Sequence, residues 1–176
     1  RLLSRGLGDV YKRQVLICCR MSVHVFKRDQ LLRGVSLEEA WGFFSRPENL
    51  KLITPDYMGF DIVSKGKLDE MYPGQIIRYI VKPLAGLPMQ WTTEITHVQE
   101  PFFFIDDQRQ GPYKIWHHQH KFTAVEAGTM MEDIVHYRLP LGVVGDLVNR
   151  WVVRKKLKEI FDHRKKVVKE IFSSNG

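Results

Sequence analysis

Residues 102–139 read FFFIDDQRQGPYKIWHHQHKFTAVEAGTMMEDIVHYRL, and this stretch decides the fold. It contains three runs of alternating side chains, separated by short breaks at Gly111-Pro112 and Ala127-Gly128 that carry turn residues. Short breaks between runs of period two are typical of antiparallel hairpins, because parallel strands need a long crossover. The stretch therefore predicts strands at 102–109, 113–125 and 129–139.

The alternation of side chains also occurs upstream of residue 102, whereas helical patterns follow the first strand and the last strand. Further strands of this kind are predicted at 22–33, 60–64, 75–82 and 89–98. After the first strand, Ser36 with Glu39 three residues later indicates the start of a short helix, and Pro47 indicates the start of a second. Residues 141–173 repeat apolar residues at helical spacing and predict one long helix.

This order of elements predicts a single α+β domain with a seven-stranded, curved antiparallel sheet. The long helix must bury its apolar stripe against the concave face of that sheet. The stripe consists of Val153, Leu157, Ile160, Phe161, Val167, Val168 and Ile171. A strongly bent sheet leaves an internal space unless side chains fill it, so we expect a cavity between the sheet and the helix.

Three stretches carry a resemblance to a known family: 41–55 (WGFFSRPENLKLITP), 104–122 (FIDDQRQGPYKIWHHQHKF) and 133–142 (DIVHYRLPLG). They resemble the START-like (SRPBCC) superfamily with the Bet v 1 helix-grip fold, especially its bacterial polyketide cyclase/dehydrase and coenzyme Q-binding-like members. The resemblance covers residues 21–172. It implies binding, and transport or presentation, of a hydrophobic small molecule such as a lipid, quinone or polyketide-like compound. Because enzymes share this scaffold, the fold does not decide the function.

Alternation along the strands predicts which side chains face the cavity. Since Trp116 and Phe122 favour burial, His118 and His120 lie inward with them, whereas Lys121 faces water. The same argument applies to the neighbouring strands and the long helix. The predicted ligand-binding residues are Trp91, Phe104, Asp106, Gln108, Trp116, His118, His120, Phe122, Met131, Asp133, Tyr137, Leu157 and Phe161.

The polar members of this set leave three roles open. Buried carboxylates need partners, so Asp106 and Asp133 can simply pair with His118, His120 or backbone donors as part of the structure. Alternatively, the polar groups anchor a carbonyl or hydroxyl group of an apolar ligand. In the third interpretation, an Asp–His pair is the general acid and base of a cyclase- or dehydratase-type enzyme. No catalytic residue is assigned from the sequence.

The spacing His118-x-His120 also occurs in metal sites on strands. The sequence, however, offers no compact third and fourth ligand with diagnostic spacing, so we expect no metal and no cofactor. It contains no Gly-rich phosphate loop, no dinucleotide fingerprint and no nucleophile elbow, which removes the enzyme classes that depend on them.

Residues 1–20 differ from the rest of the chain. They show no clean period and lie upstream of Met21, so we interpret them as a non-domain leader, either foreign to the natural protein or disordered, with the domain at 21–176. Both cysteines, Cys18 and Cys19, belong to this leader, which leaves the domain without a thiol. No apolar run approaches the ~20 residues of a membrane span, and no signal sequence is evident, so we expect a cytoplasmic protein.

The chain has a formal net charge of +7, and residues 150–169 hold nine Lys or Arg against two acidic residues. One interpretation is the solvated outer face of an amphipathic helix. The other is contact with anionic lipid headgroups, worth about 1 kcal/mol per basic residue near the surface. This second interpretation adds another alternative function, that of a protein that associates with a membrane or a partner through its basic helix. Nucleic acid binding is not expected, because the segment lacks interleaved aromatics and a reading motif. The basic residues predicted to contact lipid are Arg150, Arg154, Lys155, Lys158 and Lys165.

Overall fold

The computed structural model describes residues 22–64, 70–82 and 86–173. The predicted leader, with both cysteines, lies outside the described residues. The elements are β1 (His24–Arg33), α1 (Leu37–Phe44), α2 (Pro47–Leu52), a 3-10 turn (Asp56–Met58), β2 (Asp61–Ile62), β3 (Ile76–Val81), β4 (Met89–Gln99), β5 (Phe103–Gln110), β6 (Ile115–Val125), β7 (Gly128–Arg138), α3 (Gly142–Val148), a π-helical segment (Asn149–Val153) and α4 (Arg154–Ser173). The predicted order of strands and helices is confirmed, although the strand predicted at 60–64 is only two residues long.

The seven strands form one antiparallel sheet in the order β1-β7-β6-β5-β4-β3-β2. The hairpin neighbours β5, β6 and β7 set the register that matters for the site. His118 lies opposite Asp106 on β5, and His120 lies opposite Asp133 on β7. The sheet therefore brackets the two histidines of β6 with one carboxylate on each neighbouring strand. Two irregularities between β4 and β5, at Thr92/Thr93 and Ile95/His97, are of the kind that bends a sheet.

The short helix α1 begins with the predicted capping box. The Glu39 N–H donates to Ser36 Oγ at 3.2 Å, and the Ser36 N–H donates to Glu39 Oε2 at 2.8 Å. The buried face of α1 packs on the inner side of the sheet, where Trp41 and Phe44 lie 6.1 Å and 5.5 Å from Phe122, measured between ring centroids. This contact fills one part of the concave face with ordinary core.

The long C-terminal helix is continuous from α3 through the π-helical segment to α4, as predicted apart from that irregularity. Its inward stripe includes the buried residues Val153, Leu157, Phe161 and Val168. Arg164 corrects the sequence analysis, which counted it among the basic residues of a solvated face: it is only 8% exposed. The helical period explains this, because position 164 follows Phe161 by three residues and precedes Val168 by four. Among the described residues, no helix is long and apolar enough to cross a membrane.

Candidate ligand-binding cavity and its polar cluster

An internal cavity of about 220 Å³ lies between the sheet and the C-terminal helix. Protein interiors contain few voids larger than a water molecule, so a space of this size is a built feature rather than a packing defect. Strands β3 to β6, the α1–α2 region and the long helix all contribute to its walls. Aromatic and aliphatic side chains dominate the lining, among them Leu50, Phe60, Tyr79, Ile95, Tyr113 and Ile160.

Eight of the thirteen residues predicted from the sequence line this cavity. The strands supply six of them and the long helix supplies two. They are Trp91, Phe104, Asp106, Trp116, His118, His120, Leu157 and Phe161.

The other predicted residues face inward without lining the cavity. Phe122 and Met131 belong to the core packed under α1. The Tyr137 hydroxyl donates to Asn149 Oδ1 at 2.8 Å beneath the C-terminal helix. Alternation predicts on which face of the sheet a side chain lies, but not whether a helix packs against that side chain. Part of the inward face is therefore core and part is cavity.

Gln108 and Asp133 also lie apart from the lining, for different reasons. Gln108 Nε2 donates to the Tyr113 carbonyl at 2.6 Å, so this side chain braces the β5–β6 turn. Asp133 is buried behind the two histidines and contacts them directly. Its position on β7 makes it a partner of the cavity wall rather than part of it.

His118 and His120 lie between two carboxylates, with their ring centroids 3.8 Å apart. Asp106 Oδ2 is 3.4 Å from His118 Nδ1 and 3.0 Å from His120 Nε2. Asp133 Oδ1 is 2.9 Å from His118 Nε2 and 2.9 Å from His120 Nδ1. Every ring nitrogen thus faces a carboxylate, although His120 Nδ1 makes no aligned hydrogen bond. We call these four residues, together with Arg164, the polar cluster.

Arg164 makes the polar cluster asymmetric. Its Nη1 is 3.5 Å from Asp133 Oδ1, and its guanidinium lies over the rings of Phe44 and Phe161 at 5.5 Å and 5.8 Å. The Asp133 side of the histidines therefore carries a fixed cation. Asp106, the two histidines and Arg164 line the cavity, whereas Asp133 does not.

In the polar cluster, hydrogen bonds and charge interactions change the pKa values more than burial does. Burial acts to raise the pKa of Asp106, but hydrogen bonds and charge from His118 and His120 hold that pKa below its usual value. Burial also opposes ionisation of Asp133, yet the charge of Arg164 and hydrogen bonds from the histidines keep its pKa well below its usual value. Burial disfavours protonated His118, but its hydrogen bonds and charge interactions with the two carboxylates raise its pKa. These shifts all favour the charged forms of Asp106, Asp133 and His118.

Aromatic side chains surround the cavity side of the polar cluster. Phe104 stacks on His120 with ring centroids 4.2 Å apart. Trp116 lies 5.2 Å from Trp91 and 4.8 Å from Tyr113, again between centroids. The arrangement is a mostly apolar chamber with a few polar groups, which suits a mostly apolar molecule that carries a polar group.

Several residues of the chamber and its cluster were absent from the predicted set, among them Arg164, Tyr79 and Tyr113. Arg164 was detectable from its helical spacing, as described above. Tyr79 shares the buried face of β3 with Ile77 and Val81, so the alternation of side chains along this strand indicated its inward position. Tyr113 was not found in this way, because the sequence analysis made it the first residue of a strand, whereas it precedes β6 in the hairpin turn, where strand alternation does not apply.

No model of a known protein family matches the sequence, and no curated protein sequence matches it significantly. Solved structures do match. A Mycobacterium smegmatis protein is 15% identical, with a TM-score of 0.60 over 88% of this chain and 98% of its own. A Thermus thermophilus protein is 15% identical, with a TM-score of 0.60 over 88% of this chain and 99% of its own. Ara h 8.0201 is 14% identical, with a TM-score of 0.60 over 87% of this chain and 99% of its own.

These identities are low, so the likeness establishes the fold alone. The chain has the Bet v 1-like helix-grip fold, as the sequence resemblance predicted. The sheet, the short N-terminal helices and the long C-terminal helix are the parts that define this fold.

Proposed function

We propose that this protein binds a hydrophobic small molecule, such as a lipid, a quinone or a polyketide-like compound, inside its cavity for transport or presentation. The observation that carries the proposal is the apolar cavity of about 220 Å³ beneath the C-terminal helix. Small-molecule sites typically measure about 300–1,000 Å³, so this volume favours a compact ligand over a long acyl chain.

The polar cluster supports the proposal by giving the ligand a preferred orientation. Asp106, His118 and His120 border the cavity, whereas the surrounding walls are largely aromatic and aliphatic. A hydrogen bond from an imidazole to a ligand carbonyl or hydroxyl fixes one end of the molecule. The aromatic group of Trp91 and Trp116 then contacts the apolar remainder.

An enzyme of the cyclase or dehydratase kind is the alternative use of the same groups. The raised pKa of His118 and the lowered pKa of Asp106 provide an acid and a base side by side. Ligand binding is the better supported function, because each ring nitrogen already faces a carboxylate within the polar cluster. Binding requires only that one imidazole N–H is shared between its carboxylate and the ligand.

Binding is tested with the neutral fluorophore N-phenylnaphthylamine, whose emission rises in an apolar site, and with native mass spectrometry of protein purified from cells. We expect a retained small molecule, and probe binding that Ile160→Trp weakens at least about tenfold by filling the cavity. Lys165→Trp on the outer face is the matched control. Equal probe binding by the two variants would remove the cavity as the binding site.

The enzyme alternative has its own readout. Incubation with a polyketide-like substrate should give no product. Product formation that falls by ~10²–10⁴-fold in His118→Ala would instead establish catalysis and displace the carrier proposal.

A second proposed function is docking on an anionic membrane through the start of the C-terminal helix. Six apolar side chains there are between 40% and 78% exposed, and Trp151 is 69% exposed. The five basic residues predicted to contact lipid are all exposed as well, and most follow this apolar surface directly along the helix. We call the six side chains the apolar tip: Leu141, Val144, Leu147, Val148, Trp151 and Val152.

An apolar tip beside basic residues has the chemistry of a helix that lies in a lipid interface. The apolar side chains enter the headgroup region, and the basic side chains meet anionic headgroups. Val153, next to the tip, lines the cavity from the opposite side of the helix. Docking at this point would bring a membrane close to the cavity wall.

Co-sedimentation with vesicles of phosphatidylcholine containing phosphatidylserine tests this docking. We expect binding that weakens with added salt and is lost in Trp151→Ala combined with Leu147→Ser. Val125→Ser removes an exposed apolar side chain of β6, distant in sequence from the tip, and should bind as wild type. Equal sedimentation with pure phosphatidylcholine, or an unaffected double variant, would refute an anionic surface as the partner.

A further inference from the structure

Three donor atoms of the polar cluster converge on one point at the cavity wall. They are Asp106 Oδ2, His118 Nδ1 and His120 Nε2, and one ligand atom from each of these residues lies within 4.8 Å of the others. Asp106 Oδ2 lies 3.4 Å from His118 Nδ1 and 3.0 Å from His120 Nε2. A cation with metal–ligand distances of about 2.0–2.2 Å places neighbouring donors roughly 3 Å apart. The observed spacing therefore fits a single shared cation.

The far nitrogens of both rings face a different group. His118 Nε2 and His120 Nδ1 each lie 2.9 Å from Asp133 Oδ1. A metal-bound histidine usually donates its other N–H to a carboxylate, which fixes the tautomer and the ring orientation. Here Asp133 Oδ1 is hydrogen-bonded to His118 Nε2, while His120 Nδ1 lies at the same distance without an aligned hydrogen bond. Each ring turns its remaining nitrogen toward Asp106.

Arg164 decides on which side of the rings a cation can sit. Its guanidinium is 3.5 Å from Asp133 Oδ1, so a second cation on that side would meet direct repulsion. The Asp106 side borders the cavity, which gives a dissolved ion access. The donor geometry, the supporting carboxylate and the position of the guanidinium thus agree on one location.

We propose that Asp106, His118 and His120 form a binding site for a divalent transition-metal cation of the Zn²⁺ type. The sequence pattern alone argued against a metal because it lacked a third ligand. Asp106 supplies that ligand from β5, directly opposite His118 in register. Two imidazoles and one carboxylate suit such ions and leave coordination positions open toward the cavity.

The open positions also indicate the class of ligand, and this step rests on the proposed ligand-binding function. With two carboxylates, one guanidinium and neutral imidazoles, a divalent cation leaves the site with one net positive charge. A buried charge is stable only when it is paired. The site therefore favours an apolar molecule with an acidic oxygen, such as an enol, a phenol or a carboxylic acid, which binds the cation as its anion.

A proton shared between Asp106 and the two histidines is the alternative to a metal ion at this position. Titration of the chelator-treated full chain with metal ions distinguishes the two. We expect Zn²⁺ and Co²⁺ to bind with one-to-one stoichiometry by calorimetry, and Co²⁺ to develop visible absorption bands. Asp106→Asn and His120→Gln should each weaken binding by at least about 100-fold. The matched controls are Asp107→Asn and His117→Gln, a pair 2.7 Å apart on the same two strands but facing outward.

One measurement on the wild-type protein does not depend on whether a variant folds. In ¹⁵N NMR of the histidine rings, Zn²⁺ should shift His118 Nδ1 and His120 Nε2 while the opposite nitrogens remain protonated. The absence of one-to-one binding by the wild type, metal bound at other nitrogens, or unaltered affinity in Asp106→Asn would each overturn the proposed site.

Two probes separate this inference from the proposed function. Zn²⁺ should strengthen binding of flavonol, which carries an acidic enol, at least about tenfold. It should leave binding of N-phenylnaphthylamine unchanged. Probe binding that ignores Zn²⁺ in both cases refutes the metal-anchored ligand while the apolar cavity stands. Metal binding without binding of either probe refutes the proposed function instead.

Discussion

The hairpin of β5 and β6 carries two Asp–His pairs in consecutive register positions. Asp106 lies opposite His118, and Asp107 lies opposite His117. Because side chains alternate along a strand, the first pair faces the cavity and the second faces outward. The side chains of the inner pair are 16% and 7% exposed, whereas those of the outer pair are 24% and 34% exposed.

The outer pair has the shorter contact, 2.7 Å between Asp107 Oδ1 and His117 Nδ1, and His117 Nε2 also lies 3.1 Å from Gln119 Nε2 on the same face. Water screens it, and such pairs contribute about 0–1 kcal/mol. The inner pair is largely buried, so its charges are tolerable only with several further partners. Identical residue types thus become a tightly coupled cluster on one face and an ordinary ion pair on the other.

The largest expected difference concerns Asp133, which holds the inner cluster together. Asp133→Asn leaves Arg164 and His118 without their shared carboxylate, and breaking a buried pair in this way typically costs about 3–5 kcal/mol. On the outer face, Asp107→Asn should lower the free energy of unfolding by less than about 1 kcal/mol. Urea unfolding of both variants measures this, and similar losses would erase the distinction between the faces.

The same contrast extends to the C-terminal helix. Leu157 is 3% exposed and lines the cavity, so Leu157→Ala should destabilise the protein by about 2–5 kcal/mol. Lys155, two residues earlier, is exposed, and Lys155→Ala should change the stability by no more than about 0.5 kcal/mol. Thermal and urea unfolding provide the comparison. An equally harmful Lys155→Ala would show that the inward stripe is assigned incorrectly.

A smaller effect is expected on ligand affinity without metal. Loss of one anchoring hydrogen bond typically costs about 0.5–1.5 kcal/mol, so His118→Gln should weaken flavonol binding by up to roughly tenfold in chelator-treated protein. His117→Gln on the outer face should leave the affinity unchanged. Fluorescence titration measures both. If neither substitution matters, the inner cluster is purely structural, which the sequence analysis kept open as one of its three roles.

The smallest effect concerns the coupling within the outer pair. A double-mutant cycle on Asp107 and His117 should give less than about 1 kcal/mol and should fade as salt is added. The corresponding cycle on Asp133 and Arg164 should give more and should hardly respond to salt, because the pair is buried. A salt-sensitive inner pair would mean that water reaches the polar cluster.

Much of this architecture was readable from local patterns. Period-two runs interrupted by turn residues predicted the antiparallel hairpins, and Ser36 with Glu39 predicted the capped start of α1. The inward direction of His118 and His120 followed from their neighbours Trp116 and Phe122. Each of these inferences concerns residues close together in the chain, where backbone geometry alone relates one side chain to the next.

Tertiary structure decided whether an inward-facing side chain belongs to the core, lines the cavity or joins the polar cluster. Phe122 and Trp116 share one face of β6, yet α1 covers the first with core and the second lines the cavity. The sequence likewise contained Asp106, Asp133 and Arg164 on three separate elements, with nothing local to relate them. They meet because strand register and helix docking bring β5, β7 and α4 around the two histidines, and burial then couples their charges. The sequence by itself determined the faces; only packing between distant elements determined which inward residues form core, cavity or cluster.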